Sequence, residues 1–349
     1  MPGPLAKRRL TATAAAVALL GAWLIMHPPI AHHANSDLYG HLSVARHLVR
    51  GDGFVNDVVY PLSLAFPFAA SVPQPMIHRP PGYPLLLTLP VVLAGDDPAR
   101  AQRLAGYLTV LLLGGLAWLG VRFALQVGRG DVVVPWLVVL LINPLLHMTV
   151  GWAQVEIAVA LLLMLLWIRL QDQARTITTR CAILDGLLAG GVALLRADLF
   201  WLPWLWLVWR GQRRGQPLII AMICWAAVLA PWWTRNALLT GDPFFTLQAH
   251  GEQLKETVLW PGYAIYVSLS PESFWHTLIH DPGLILRKMI SGLRYYITRL
   301  DGWLPVSLWV SGGFAAVFGF GAPPKRRDPL LAPGGHPPLP TPAYSPLPP

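Results

Sequence analysis

Two acids stand where greasy sequence meets polar sequence. Asp37 heads "SDLYGHLSVARHLVRGDGF", residues 36–54, and Glu156 sits in "TVGWAQVEIAVALLL", residues 149–163. A carboxylate held at such an edge can take the proton of a hydroxyl within hydrogen-bond reach. Three arginines occupy similar places: Arg79 in "MIHRPPGYPLLLTLP", Arg196 in "LLRADLF" and Arg235 in "APWWTRNALL". A guanidinium suits a phosphate because its planar fork pairs with two oxygens. Each residue also has a plainer use. Asp37 can cap a helix, where the dipole favours a carboxylate. Arg196 can pair with Asp198, and His78 and Arg79 can simply reach for the interface. An acid at the depth of Glu156 is costly and faces a cavity, the bundle interior or a solvated helix start.

Other chemistries find less support. His32, His33, Asp37 and His41 form a local cluster, with Asp37 and His41 on one helix face. A zinc site needs three or four converging ligands; no cofactor is expected, and a divalent ion is left open. The chain has no GxxxxGK[ST] loop and no GxSxG elbow. Group transfer would therefore draw on a substrate that arrives already activated.

The elements that must position these residues follow from composition. Of 349 residues, 54% are hydrophobic and 12% charged, about half the charge of a soluble domain. Mean hydropathy is +0.50, and sixteen tryptophans suit two membrane interfaces. The fold class expected is an all-α polytopic membrane protein. The net charge of +9 reflects basic residues clustered between apolar runs, which argues for topology rather than nucleic acid. Cys181 and Cys224 are far apart and suggest neither disulfide nor metal.

A span needs about 20 apolar residues. Runs at 10–30, 104–125, 132–150, 156–170, 217–233 and 302–322 qualify, with shorter ones at 182–195 and 198–209 around Arg196. The first is expected to be a retained span rather than a signal peptide. The stretch 84–95, broken by Pro90, is expected to be interfacial or re-entrant. With eight spans, fourteen of the 26 basic residues fall in short loops and span ends on one side, as the positive-inside bias requires. The alternative is a single tilted helix over 181–210. The eight-span arrangement places the N-terminus in the cytoplasm and leaves outer segments at about 31–98 and 234–301.

Within the first, Leu38, Leu42, Ala45 and Val49 form one helical stripe. Asn35 and Ser36 can start that helix and Gly51 can stop it. His41, Arg46, His47 and Arg50 lie largely off the stripe, so an interfacial helix with basic groups near lipid phosphates is expected. Residues 323–349 hold eleven prolines in 27 positions, and disorder is expected there.

Five fragments carry a family resemblance: "SDLYGHLSVARHLVRGDGF", "HRPPGYPLLL", "NPLLHMTVGWAQVE", "GLLAGGVALLRADLFWLP" and "APWWTRNALLTGDPF". In this order they resemble the GT-C glycosyltransferases, nearest to bacterial relatives of protein O-mannosyltransferase and the lipid A aminoarabinose transferase. The resemblance implies a transmembrane domain over 1–322 that moves a sugar from a polyprenyl-phosphate donor to an extracytoplasmic glycan, lipid or protein acceptor. It implies a bacterial inner-membrane location and no nucleic-acid partner. The family's two loop acids fall on Asp37 and Glu156. Arg79, Arg196 and Arg235 are its donor-phosphate candidates by position, and Tyr39, His78 and Tyr83 its substrate contacts. Relatives carry paired acids at the first site, whereas Ser36 and Leu38 flank Asp37 here. Relatives also continue through further spans, so the Pro-rich end is expected to be a truncation or frameshift product. A catalytically silent polyprenyl-phosphate binder is the alternative.

Overall fold

A helix of 29 residues, α4 (Pro98–Gln126), is the longest of the described elements and packs against helices on either side of it in the chain. Asp97 starts it by accepting from the Arg100 amide at 3.0 Å, and Pro98 fills the first position, where no amide is needed. Its length of about 43 Å exceeds a bilayer's hydrocarbon thickness. The computed structural model describes residues 11–21, 36–171, 178–211, 215–247, 251, 279 and 282–298.

In chain order the other helices are α1 (Thr11–Gly21), α2 (Ser36–Arg50), α3 (Gly82–Ala94), α5 (Val133–Ile142), α6 (Pro144–Gly151) and α7 (Glu156–Gln171). They are followed by α8 (Thr179–Leu195), α9 (Leu202–Gly211), α10 (Gly215–Thr240) and α11 (Pro282–Thr298). The protein is mostly helical, and α4 and α10 are long and apolar enough to cross a membrane. A two-residue antiparallel ladder pairs β1 (Val55–Asn56) with β2 (Gln74–Pro75), Val55 opposite Pro75.

Several boundaries differ from the expected spans. The run at 132–150 is not one helix. Asn143 is extended (φ −70°, ψ 112°), because a residue before proline is pushed out of the helical region, and the run breaks into α5 and α6. At the 217–233 run the helix continues through Pro231 and Arg235 to Thr240, so Arg235 lies within α10 rather than beyond it. The stretch 84–95 forms the 13-residue α3, about 20 Å long, too short to span. Leu85, Leu86, Leu89, Val92 and Leu93 leave one side of α3 exposed. Around Arg196 the chain does break into two helices, α8 and α9. The runs at 302–322 and 323–349, most of the second outer segment, and the rest of the first run lie outside the described residues.

Four apolar clusters organise the described residues. One joins Leu166 of α7, Ala189 of α8, Leu207 of α9 and Ala221 of α10. Two others gather the helices around α4. Leu113 and Ala117 of α4 pack with Leu19 of α1, Trp136 of α5 and Ile157 of α7. The second cluster matters more for function. Leu38, Leu42 and Ala45 of α2 meet Tyr83, Leu87 and Val91 of α3, Ala101 and Ala105 of α4, and Ala158 of α7. Burying Leu42 alone contributes about 2 kcal/mol. The expected stripe therefore does seat α2, except that Val49 is exposed. The other side of α2 differs from expectation. His41 and His47 are 4% and 7% exposed, turned inward because polar partners and an aromatic ring await them there.

Close approaches tie the layers. A Cβ on Gly82 would stand 2.5 Å from the Leu194 carbonyl oxygen, so α3 abuts the end of α8 only because this residue has none. Gly186 does the same for α8 against Ala221 of α10, a small-residue contact of the kind that lets helix backbones touch. Phe245 and Leu247, beyond α10, pack with Leu62, Phe66 and Ile77, and the Leu247 amide donates to the Ile77 carbonyl. The chain just after α10 thus rests on the segment between α2 and α3.

Candidate functional site

Asp37 lies in the first turn of α2. The segment leading into α3 brings Arg79 beside it, with Nη2 2.8 Å from Oδ2. That segment is pinned at both ends: the Met76 amide donates to Phe54 O at 3.1 Å, and Gly82 abuts α8.

Glu156 is delivered by a tight turn. The Ala153 and Gln154 amides donate to Val150 O and Thr149 O at 3.0 and 2.9 Å. This closes α6 with Ala153 in the left-handed region at φ 47°. The Tyr83 hydroxyl donates to the Ala153 carbonyl and holds the turn against α3. Arg196 leaves the end of α8 in an extended conformation and forks onto two acids. Its Nε and Nη2 donate to Asp198 at 3.0 and 2.8 Å, while Nη1 donates to Glu156 Oε1 at 2.8 Å. The plain partner and the functional candidate are both engaged.

Asp37, Leu38, His41, Arg79, Ala153, Gln154, Val155 and Glu156 line one crevice with a volume of about 10 Å³, and Arg196 reaches it only through its bond to Glu156. Two carboxylates from different helices face it, each joined to its own guanidinium. Such a constellation can accept a proton and stabilise an anion. No family model, curated protein or solved structure matches the chain. Among the described residues, no group of three or more His, Cys, Asp or Glu side chains is placed to hold a metal ion. His32 and His33 lie outside those residues.

The remaining candidates are placed differently. Arg235 does not line the crevice. Its Nη1 and Nη2 donate to Met76 O and Phe54 O, both at 2.9 Å, and its guanidinium lies 5.1 Å from the Phe54 and Trp232 rings. With two donors spent on backbone carbonyls, it fastens α10 to the segment between α2 and α3. Beside it runs an open apolar groove of about 440 Å³ along Pro231, Leu238 and Leu239. His78 is buried and stacks on Tyr60 at 4.2 Å. Burial, then the Arg79 charge, pulls its imidazole down to about 3, so it is neutral. Tyr83 is 1% exposed and backs the crevice through Ala153 without lining it. Tyr39 is 53% exposed and absent from the lining, since two helical positions beyond Asp37 is the far side of α2.

One residue weighed as a metal ligand takes another place, and one arrangement was not foreseen. His41 lines the crevice, its ring edge-on to Tyr83 at 5.1 Å and 89°. Its i, i+4 spacing from Asp37 is the signal in the sequence. His47 bridges two acids, with Nδ1 2.8 Å from Asp52 and Nε2 3.0 Å from Asp57, and Ser43 donates to Asp57 at 3.0 Å. No motif announces that arrangement.

Proposed function

We propose that this protein is an integral-membrane glycosyltransferase that moves a sugar, with inversion, from a polyprenyl-phosphate donor to an extracytoplasmic hydroxyl acceptor. The observation that carries the proposal is one crevice lined by Asp37, Arg79 and Glu156, with Asp37 paired to Arg79 and Glu156 held by Arg196. It is joined by the motif resemblance over the same residues. In the reaction Asp37 takes the acceptor's hydroxyl proton as the acceptor oxygen bonds to the sugar's anomeric carbon. The carbon–oxygen bond to phosphate breaks on the opposite face, and the phosphate leaves with that electron pair. Arg79 and Arg196 are the cations that receive it, preorganised where charge develops. A lipid monophosphate can leave this way without a divalent ion.

The proposed setting is the bacterial inner membrane, with eight spans, the N-terminus in the cytoplasm and the crevice on the outer side. The lengths of α4 and α10 support a membrane location. The bonds from Arg235 to Met76 and Phe54 support placing the two outer segments on one side. The exposed leucines of α3 suit a helix lying against lipid.

The experiment supplies labelled polyprenyl-phosphate sugar to membranes containing the wild type or Asp37→Asn. Loss of a general base lowers turnover by about 10²–10⁴-fold. Undiminished transfer by Asp37→Asn removes Asp37 from that role. One observation favours a second reading: both crevice carboxylates are already joined to guanidiniums. A polyprenyl-phosphate binder without turnover would look the same. It predicts lipid binding with no transfer, indifferent to Asp37→Asn.

A further inference from the structure

Three buried polar atoms around the Asp37 crevice lack a hydrogen-bond partner: His41 Nδ1, Arg79 Nε and Glu156 Oε2. An unmatched buried polar atom is costly, and native proteins keep few of them. Their three side chains line one opening while the atoms themselves are covered, so a polar group meets them only where the lining gives slightly. Its size restricts that group. About 10 Å³ admits roughly one water-sized probe, the space of one hydroxyl oxygen.

We propose that His41 is a substrate contact, its Nδ1 hydrogen-bonding the acceptor hydroxyl whose proton Asp37 takes. This rests on the transfer reading and adds to it the group that positions the attacking oxygen. Asp37 and His41 stand one helical turn apart on the same face of α2, so both reach an oxygen seated between them. The ring is held for this purpose. It is 4% exposed and lies edge-on to Tyr83, which is itself tied to Ala153. Burial first, then the Arg79 and His78 neighbours, keeps the imidazole well below its ordinary range. A neutral ring offers one donor and one acceptor. It can orient a hydroxyl but adds no positive charge for a phosphate, which is left to the arginines. His41 therefore governs the acceptor, not the donor.

The test compares His41→Phe, which keeps a ring without nitrogen, with His41→Asn, whose side-chain amide sits where Nδ1 sits. Transfer assays should show the acceptor KM rising about tenfold or more in His41→Phe. The donor KM should hold and His41→Asn should recover most of the loss. Equal KM values for wild type and His41→Phe, a parallel rise in both KM values, or an Asn variant as poor as Phe would each overturn the proposal. A second measurement needs no turnover. Wild type carrying ¹⁵N-histidine in phosphatidylcholine nanodiscs is titrated with octyl β-glucoside as the hydroxyl probe. The His41 Nδ1 resonance should move, and a stationary resonance overturns the contact. If wild type transfers no sugar, the transfer reading fails by itself and the titration alone decides His41.

Discussion

Arg196 and Glu156, forty positions apart in sequence, stand 2.8 Å from each other where the end of α8 meets the start of α7. The same guanidinium holds Asp198 through two more bonds. Three bonds to two acids use the planar fork in a way an ammonium cannot. Arg196→Lys keeps the charge and loses the fork. We expect turnover with labelled donor lipid to fall by about 10²-fold, the usual loss when one preorganised donor is removed. Unchanged turnover would show that only the charge at this position matters.

Ala153 offers a test of the turn that presents Glu156. It occupies the left-handed position where glycine is the common choice. Replacing it with glycine relieves about 1–2 kcal/mol of backbone strain. It also adds about 0.5–1 kcal/mol of unfolded-state entropy and removes a methyl group worth about 0.8 kcal/mol. These offset, so Ala153→Gly should leave the thermal midpoint nearly unchanged. Ala153→Val adds a branched side chain at positive φ in a site 2% exposed. It should cost about 3 kcal/mol, read as a clear drop in that midpoint.

The helical stripe of α2 is legible because Leu38, Leu42 and Ala45 repeat at helical spacing whatever they pack against. The break at Asn143 could have been read from Pro144, but an unbroken apolar run hides a short interruption. Asp37, Arg79, Glu156 and Arg196 were legible as isolated charges at the ends of apolar runs. Their pairing was not, because it depends on how α3 seats between α2 and α8, fixed by one glycine against a carbonyl. Arg235 shows the opposite limit. Its position in sequence resembles that of Arg196, and only the carbonyls of Phe54 and Met76 reveal that it is a fastener.

Arg169 and Asp185 join α7 to α8 at 2.6 Å, both side chains under 15% exposed. Removing one partner leaves a buried charge, which costs about 3–5 kcal/mol. Asp185→Leu should lower the thermal midpoint sharply. Adding Arg169→Met should restore much of it, since replacing a buried pair by apolar groups is often neutral. A double variant no better than the single would mean the pair contributes more than charge matching.

His47 makes the loop after α2 sensitive to pH. Burial draws its pKa down, but hydrogen bonds to Asp52 and then Asp57, with their charges, outweigh that and raise it above 6.5. On Asp57, burial acts upward and is outweighed by the bonds from His47 and Ser43, so its pKa falls. A raised histidine contributes stability that is complete below its unfolded value and lost as pH climbs through its folded one. Both acids are about half exposed, which limits the effect to about 1 kcal/mol. Amide exchange over residues 51–57 should therefore be slowest between the ordinary carboxylate range, below which Asp57 loses its charge, and pH 6.5. It should quicken as the solution becomes alkaline. His47→Gln should remove that pH dependence, and a wild type whose exchange, corrected for its intrinsic pH dependence, is flat across this range would show that the imidazole is not the bridge.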